Sequence, residues 1–151
     1  MITPRPLLFR ASAIVLLLGL AACKDDGPLS PVAEARRRWE TLHLTTYEYV
    51  LTIQCFCVDQ LTRPVRITVT DGVVTARVYT TGDPVDSSLI DRFPSIEGLF
   101  DIAQDAADRG AASVQVDYDV RFGYPVRIAI DNLAHAVDDE VTYLVAPFLR
   151  M

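Results

Sequence analysis

The sequence predicts an α+β fold in which two helices cover one face of an antiparallel sheet of about six strands. Apolar residues recur at helical spacing in two segments, near residues 31–43 and 95–110. Six other segments alternate apolar and polar side chains, which is typical of strands with one buried and one solvated face. The order is a helix and three strands, given twice, so we predict two such units within one domain.

The first predicted helix runs from Pro31 to about His43. Ser30 is a favourable N-cap residue, and proline fits the first helical turn. Trp39 is the largest apolar side chain at helical spacing in this segment. We therefore predict that Trp39 anchors the helix on the sheet.

The first predicted strand runs from Tyr47 to Cys57, and its odd-numbered side chains share one face. Cys55 and Cys57 would thus continue a core-facing stripe. Residues i and i+2 of an extended strand lie about 6.6 Å apart, whereas a disulfide requires Cβ atoms about 3.5–4.5 Å apart. A Cys55–Cys57 bridge therefore requires the strand to break at Phe56. The preferred interpretation is a structural disulfide, and the alternatives are a redox or copper-type thiophilic-metal site and two inert buried thiols.

Two more strands complete the first unit, over residues 65–70 and 74–80. The dipeptide Asp71-Gly72 between them is typical of a tight hairpin turn. Residues 81–93 are predicted to form a loop, because they contain glycine, proline and two serines.

The second unit begins with a helix from Ser95 that ends at Gly110. Strands are predicted near residues 114–120, 125–130 and 140–146, because valine, isoleucine and tyrosine alternate there with polar residues. The tetrapeptide P-V-R-I opens the second strand of both units. The alternatives are a duplication of residues 31–80 and 95–147, and a chance match between strands of similar composition.

Residues 1–22 have the features of an export signal. Arg5 and Arg10 precede the apolar run 11–20, which is too short to span a bilayer. The sequence L-A-A-C that ends at Cys23 resembles the bacterial lipobox, in which the cysteine receives a lipid. We predict a lipoprotein signal peptide and lipidation of Cys23, the alternative being an ordinary secretory signal with a chance cysteine.

Residues 23–30 are polar and contain glycine and proline, so they are predicted to form a tether ahead of a single α+β domain at residues 31–151. The lipid on Cys23 would hold the protein on a membrane, facing the periplasm or the exterior. Lys24 follows the cysteine, where an aspartate would favour inner-membrane retention. Outer-membrane sorting is therefore favoured if the cell is Gram-negative.

Charge and motifs exclude several functions. The formal net charge of −6 argues against nucleic acid as a partner, because phosphates require clusters of lysine and arginine. The sequence has no G-x-S-x-G motif, no phosphate-binding glycine loop and only two histidines. We predict a non-enzymatic protein with no cofactor and no resident metal.

The segment 131–140 contains four carboxylates and one histidine. Carboxylates on a loop suit calcium, but the spacing differs from that of an EF-hand and the central glycine is missing. A solvated turn between the last two strands is the preferred interpretation, and calcium binding is the alternative.

Tyr118, Arg121 and Tyr124 form a candidate binding surface at the turn between two strands. Tyrosine and arginine are the residue types that dominate protein interfaces. The alternative is turn geometry, with Gly123 at positive φ and Tyr124 restricted by Pro125.

Several of these features together resemble a family of exported bacterial proteins, many of them lipoproteins, that is known only as a domain of unknown function. The resemblance covers residues 39–145 and implies no catalytic residue. It is carried by Trp39, Tyr47-x-Tyr49, Cys55-Phe56-Cys57, Asp71-Gly72, Tyr118-Asp119, Gly123-Tyr124-Pro125 and Asp131.

The paired units are also similar to small envelope modules that bind other proteins, of the β-lactamase-inhibitor and outer-membrane assembly types. We therefore expect a membrane-anchored, non-enzymatic module that binds a protein or ligand in the cell envelope, with an unidentified envelope protein as partner. The alternative function is a thiol redox or copper-handling lipoprotein that uses Cys55 and Cys57.

Overall fold

A computed structural model describes residues 30–151, which form an open antiparallel sheet of six strands with helices packed on it. The order across the sheet is β3-β2-β1-β6-β5-β4. The predicted signal peptide, most of the tether and Cys23 lie outside the described residues. The helices are α1 (Pro31–Thr41), α2 (Asp59–Thr62) and α3 (Ile96–Asp108), and the strands are β1 (Tyr47–Cys55), β2 (Val65–Thr70), β3 (Val73–Tyr79), β4 (Ser113–Tyr118), β5 (Pro125–Asp131) and β6 (Val141–Arg150).

The prediction of one antiparallel sheet with six strands is confirmed. The fold is mostly β with some helix, and it includes a short helix, α2, and a 3₁₀ turn at Ile90–Arg92 that the sequence did not predict. The first strand, β1, pairs with the last, β6, and these two strands lie at the centre of the sheet. In the part of the chain that the structure describes, no helix has the length and apolar character needed to cross a membrane.

Local sequence signals fix where the long helices begin. The Ser30 hydroxyl accepts a hydrogen bond from the backbone N–H of Ala33 at 3.2 Å. The Ser95 hydroxyl accepts one from Gly98 at 3.3 Å. Ser30 is therefore an N-cap, as predicted, and Ser95 is one as well, because each satisfies a backbone donor that the first helical turn leaves free.

The core lies between the sheet and the helices. Trp39 on α1 is only 2% exposed, and its ring meets the rings of Tyr47 at 5.3 Å and Phe148 at 5.8 Å between centroids. Both contacts are edge-to-face, which is a favourable arrangement of aromatic rings. The prediction that Trp39 anchors the first helix is confirmed.

The hairpin between β2 and β3 is confirmed. Asp71 and Gly72 both have positive φ, 51° and 77°. Two consecutive residues at positive φ match the twist of the flanking strands, and glycine and aspartate tolerate that conformation.

Strand β6 is longer than predicted, because it continues through a bulge to Arg150. Tyr49 pairs with Phe148 and Leu51 pairs with Val145, so Val50 alone faces two residues of β6. The extra residue reverses the alternation of side chains. Phe148 therefore points into the core, where unbroken alternation would have placed it on the outer face.

Candidate interaction site

One end of the sheet brings together the cysteine pair and the loop between β5 and β6. Cys55, the last residue of β1, pairs with Val141, the first residue of β6. Val141 also pairs with Ile130, near the end of β5. The segments that leave these strand ends therefore lie side by side. We call this region the cysteine end and define it as residues 55–59 and 131–140.

Cys55 and Cys57 lie at disulfide distance, with their Cα atoms 5.3 Å apart. Strand β1 stops at Cys55, and the chain bends at Phe56 and Cys57. Cys55 is half-buried, whereas Cys57 is exposed. The prediction that Cys57 continues the core-facing stripe is wrong, because the bend that brings the sulfur atoms together turns Cys57 out of the strand.

Large apolar side chains are exposed on both segments of the cysteine end. Phe56 is 81% exposed and Val58 is 57% exposed. On the neighbouring loop, Leu133 is 64% exposed and Val137 is 84% exposed. Single exposed apolar residues are normal, whereas a contiguous group of them is a candidate interaction site. We call these four side chains the apolar surface.

The β5–β6 loop is held by hydrogen bonds to Asp139. The Asp139 carboxylate accepts a hydrogen bond from the backbone N–H of Leu133 at 2.7 Å. The backbone carbonyl of Asp139 accepts a second one from the Asn132 side-chain amide at 2.8 Å. The backbone N–H of Ala136 donates to the Leu133 carbonyl at 2.9 Å. Leu133 is therefore fixed in place while its side chain remains exposed.

The cysteine end is also acidic. The segment 131–140 has four carboxylates and neither lysine nor arginine, and the segment 55–59 adds Asp59. The nearest cations along the chain are Arg63 and Arg127, and each lies near another carboxylate, at 3.7 Å from Asp83 and 3.6 Å from Asp117. Arg127 also lines a shallow surface cleft with Asp131 and Glu140. The apolar surface thus has an acidic border.

Calcium binding by the β5–β6 loop finds no support in the described geometry. Asp131 and Asp139 each have one buried carboxylate oxygen without a hydrogen-bond partner. Within residues 30–151, however, no group of three or more His, Cys, Asp or Glu side chains is arranged to hold a metal ion. Calcium normally takes six to eight oxygen ligands.

The turn between β4 and β5 lies at the opposite end of the sheet. The Asp119 carboxylate accepts hydrogen bonds from the backbone N–H groups of Arg121 at 2.9 Å and Phe122 at 2.7 Å. Gly123 has φ of 82°, and a Cβ atom there would lie 3.1 Å from the Ala35 carbonyl oxygen on α1. Glycine is required at this position by both its backbone conformation and the close approach of the helix.

The structure does not bring Tyr118, Arg121 and Tyr124 into one exposed surface. Tyr124 is buried, and its ring stacks on Phe148 at 4.5 Å between centroids. Tyr118 is half-buried, and burial raises the pKa of its phenol. Only Arg121 is exposed, with its guanidinium 4.9 Å from the Phe122 ring centroid. The predicted aromatic contacts are therefore largely core residues.

A carboxylate that the sequence did not single out joins three elements of the core. Glu97, in the first turn of α3, accepts hydrogen bonds from the Trp39 indole at 2.8 Å and the Tyr47 hydroxyl at 2.9 Å. Burial, and then the charge of Glu97, raise the pKa of Tyr47. Because these partners lie far apart in sequence, no local pattern predicts their contact. The arrangement satisfies buried donors and so stabilises the fold.

An apolar cleft of about 390 Å³ lies between the start of α1, helix α3 and β4. Val32 and Val116 are among its walls, and it opens beside Ser30, where the described chain begins. The described residues that line it include no charged side chain. Tyr118 also lines the cleft, and its phenol is the titratable side chain among the described lining residues.

Comparison with known proteins identifies the domain. A model of a family of unknown function, DUF6174, matches residues 31–149. The chain belongs to this family. The match extends from the start of α1 into the last strand, and it confirms that the domain is one of unknown function. No curated protein matches the chain, and no solved structure matches it either.

Proposed function

We propose that this protein is a lipid-anchored protein of the bacterial cell envelope whose domain binds another macromolecule and has no enzymatic activity of its own. The observation that carries the proposal is the apolar surface at the cysteine end. Phe56, Val58, Leu133 and Val137 are all more than half exposed.

Covering this surface would contribute favourably to the free energy of binding. Full burial of a valine, leucine or phenylalanine side chain stabilises by about 1.5–3 kcal/mol. Phe56 and Val58 flank Cys57, and Leu133 is fixed through Asp139. A surface that is already ordered loses less conformational entropy when a partner binds.

Anchoring rests on the sequence around Cys23. We propose that its lipid, together with the tether, holds the domain at the membrane and leaves the cysteine end accessible to an envelope protein, with the outer membrane favoured in a Gram-negative cell. Cys23→Ser should release the protein from membranes or block its processing. Fractionation with membranes as complete as that of the parent would contradict the anchor.

The element order also agrees with two units of a helix and three strands, as in the envelope modules that the sequence resembles. We propose this organisation here as well, with a duplication of residues 31–80 and 95–147 as its origin.

The binding proposal is tested by changing the apolar surface in the full chain. Phe56→Ser together with Val137→Ser should abolish co-purification of the partner after chemical cross-linking of native membranes. The matched control is Val120→Ser with Leu149→Ser, two residues that are 93% and 54% exposed but lie at the opposite end of the sheet. If both double variants recover the same proteins as the parent, the surface is not a binding site.

A second function is favoured by one observation: Cys57 is exposed and lies at disulfide distance from Cys55. An incoming thiolate attacking one sulfur atom would form a mixed disulfide and release the other cysteine as a thiolate. This would be a thiol redox protein, or in its reduced state a copper-binding one. Redox function predicts a loss of activity in either cysteine variant that is out of proportion to any loss of stability.

A further inference from the structure

The charges that border the apolar surface indicate which kind of partner fits it. We infer that the cysteine end binds a protein segment that presents apolar side chains flanked by lysine or arginine. This inference rests on the binding function proposed above and specifies its partner.

Covering the apolar surface would remove water from nearby carboxylates, which then require a cation. A partner that covers Val137 also approaches Asp138, the next residue, and comes near Glu140 at the end of the same loop. A carboxylate that loses water without gaining a cation is strongly unfavourable. A partner with lysine or arginine at its border replaces the lost hydration and speeds association.

Two of these carboxylates are free to pair with a cation on a partner. Asp138 and Glu140 are exposed, and among residues 30–151 neither side chain forms a hydrogen bond or an ion pair. Asp139 differs, because its carboxylate holds the backbone of Leu133. The Asp139 carboxylate therefore has a structural role, whereas those of Asp138 and Glu140 can face a partner.

The negative charge of the border disfavours two other occupants of the surface, a second copy of this chain and an anionic bilayer. Two copies of this chain joined at their cysteine ends would bring the carboxylates of segment 131–140 together, and like charges across an interface are repulsive. An anionic bilayer would repel the same border, since anionic lipids attract basic segments. A cationic, partly apolar protein segment satisfies both the apolar and the charged parts of the surface.

The test titrates a labelled amphipathic peptide of leucine and lysine into the full chain carrying Cys23→Ser, which removes the predicted lipid. The same peptide with glutamate in place of lysine is titrated in parallel. We expect binding of the lysine peptide only. Asp138→Asn with Glu140→Gln should weaken it about fivefold at low salt and reduce its salt dependence. Asn tolerates the positive φ of 72° at position 138.

The matched control is Glu40→Gln with Asp105→Asn, which removes the same charge from exposed positions on α1 and α3. Its affinity for the lysine peptide should stay within about twofold of the parent. Equal weakening by the two double variants would show that only net charge matters and would overturn the inference. Equal binding of the glutamate peptide would also overturn it.

Two further outcomes separate this inference from the function on which it rests. If Phe56→Ser with Val137→Ser loses the envelope partner while Asp138→Asn with Glu140→Gln retains it, the surface binds a partner but not a cationic one. If neither variant loses the partner, both proposals fail. Binding to vesicles of phosphatidylglycerol that depends on Phe56 would assign the surface to lipid instead and overturn the inference.

Discussion

The two ends of the sheet differ in where their aromatic side chains lie: packed in the core at one end, and exposed at Phe56 at the other. At the end where β1 begins, Trp39, Tyr47, Tyr124 and Phe148 pack ring against ring, and Glu97 accepts the hydrogen bonds of the first two. At the cysteine end, four apolar side chains project into solvent. The aromatic cluster stabilises the fold, and the proposed binding surface lies at the cysteine end. Exposed aliphatic side chains also occur at the other end, at Val73, Val120 and Leu149. Aromatic residues in a sequence therefore do not by themselves locate a binding surface.

The largest effect expected from this difference is on stability. Trp39→Ala should lower the free energy of unfolding by about 3–5 kcal/mol, because a large buried side chain leaves a cavity. Phe56→Ala should change it by no more than about 0.5 kcal/mol, as is usual for exposed positions. Urea unfolding of both variants measures the contrast. Equal stability of the two would show that α1 does not cover the sheet.

A smaller effect is expected at alkaline pH. The ordinary pKa of tyrosine is 10.0, and burial together with Glu97 raises that of Tyr47 in the folded protein. The folded state thus keeps a proton that the unfolded state loses, so stability is fully present below pH 10 and falls as the pH rises above it. Tyr47→Phe should reduce this fall and cost about 1–2 kcal/mol at neutral pH through the lost hydrogen bond.

Unfolding of Tyr47→Phe and the parent between neutral and alkaline pH checks the sign. Tyr143→Phe is the comparison variant. Burial also raises the pKa of Tyr143, but Glu97 does not contribute to that shift. An alkaline loss of stability as steep in Tyr47→Phe as in the parent would show that this phenol does not contribute to it.

The smallest effect on stability is expected at the cysteine pair. Closing so short a loop gains little chain entropy, so Cys55→Ser and Cys57→Ser should each cost at most about 1–2 kcal/mol. The two variants should behave alike, each leaving one free thiol. Intact-mass measurement after alkylation without reductant should find no labelled thiol in the parent chain from an oxidising envelope, apart from any at Cys23. Labelling of both Cys55 and Cys57 would contradict the bridge and favour the redox function.

The sequence predicted the parts of the fold that depend on local periodicity. Alternation identified six strands, helical spacing identified both long helices, and Ser30 marked where the first helix begins. The inward position of Phe148 could not be predicted, because the bulge opposite Val50 reverses the alternation. Glu97 was missed because its partners are distant in sequence.

The candidate site was predicted only in part. The break at Phe56 followed from the distance that a disulfide requires. Tyr124 was placed on the surface because turn residues are usually exposed, whereas the close packing of Gly123 against α1 carries Tyr124 into the core. Leu133 and Val137 were not singled out from the sequence, because they lie within an acidic segment. Two large apolar residues in such a segment were the signal that could have found them.

Photo-crosslinking in living cells tests most directly whether the cysteine end binds a partner. A photoreactive amino acid replaces Phe56, Leu133 or Val137 at the cysteine end, or Val73, Val120 or Leu149 at the opposite end, all of them more than half exposed. We predict that the first three positions cross-link to one common envelope protein and that the last three do not. Cross-links to the same partner from Val120 and Leu149, with none from Phe56 or Val137, would contradict the assignment of binding to the cysteine end.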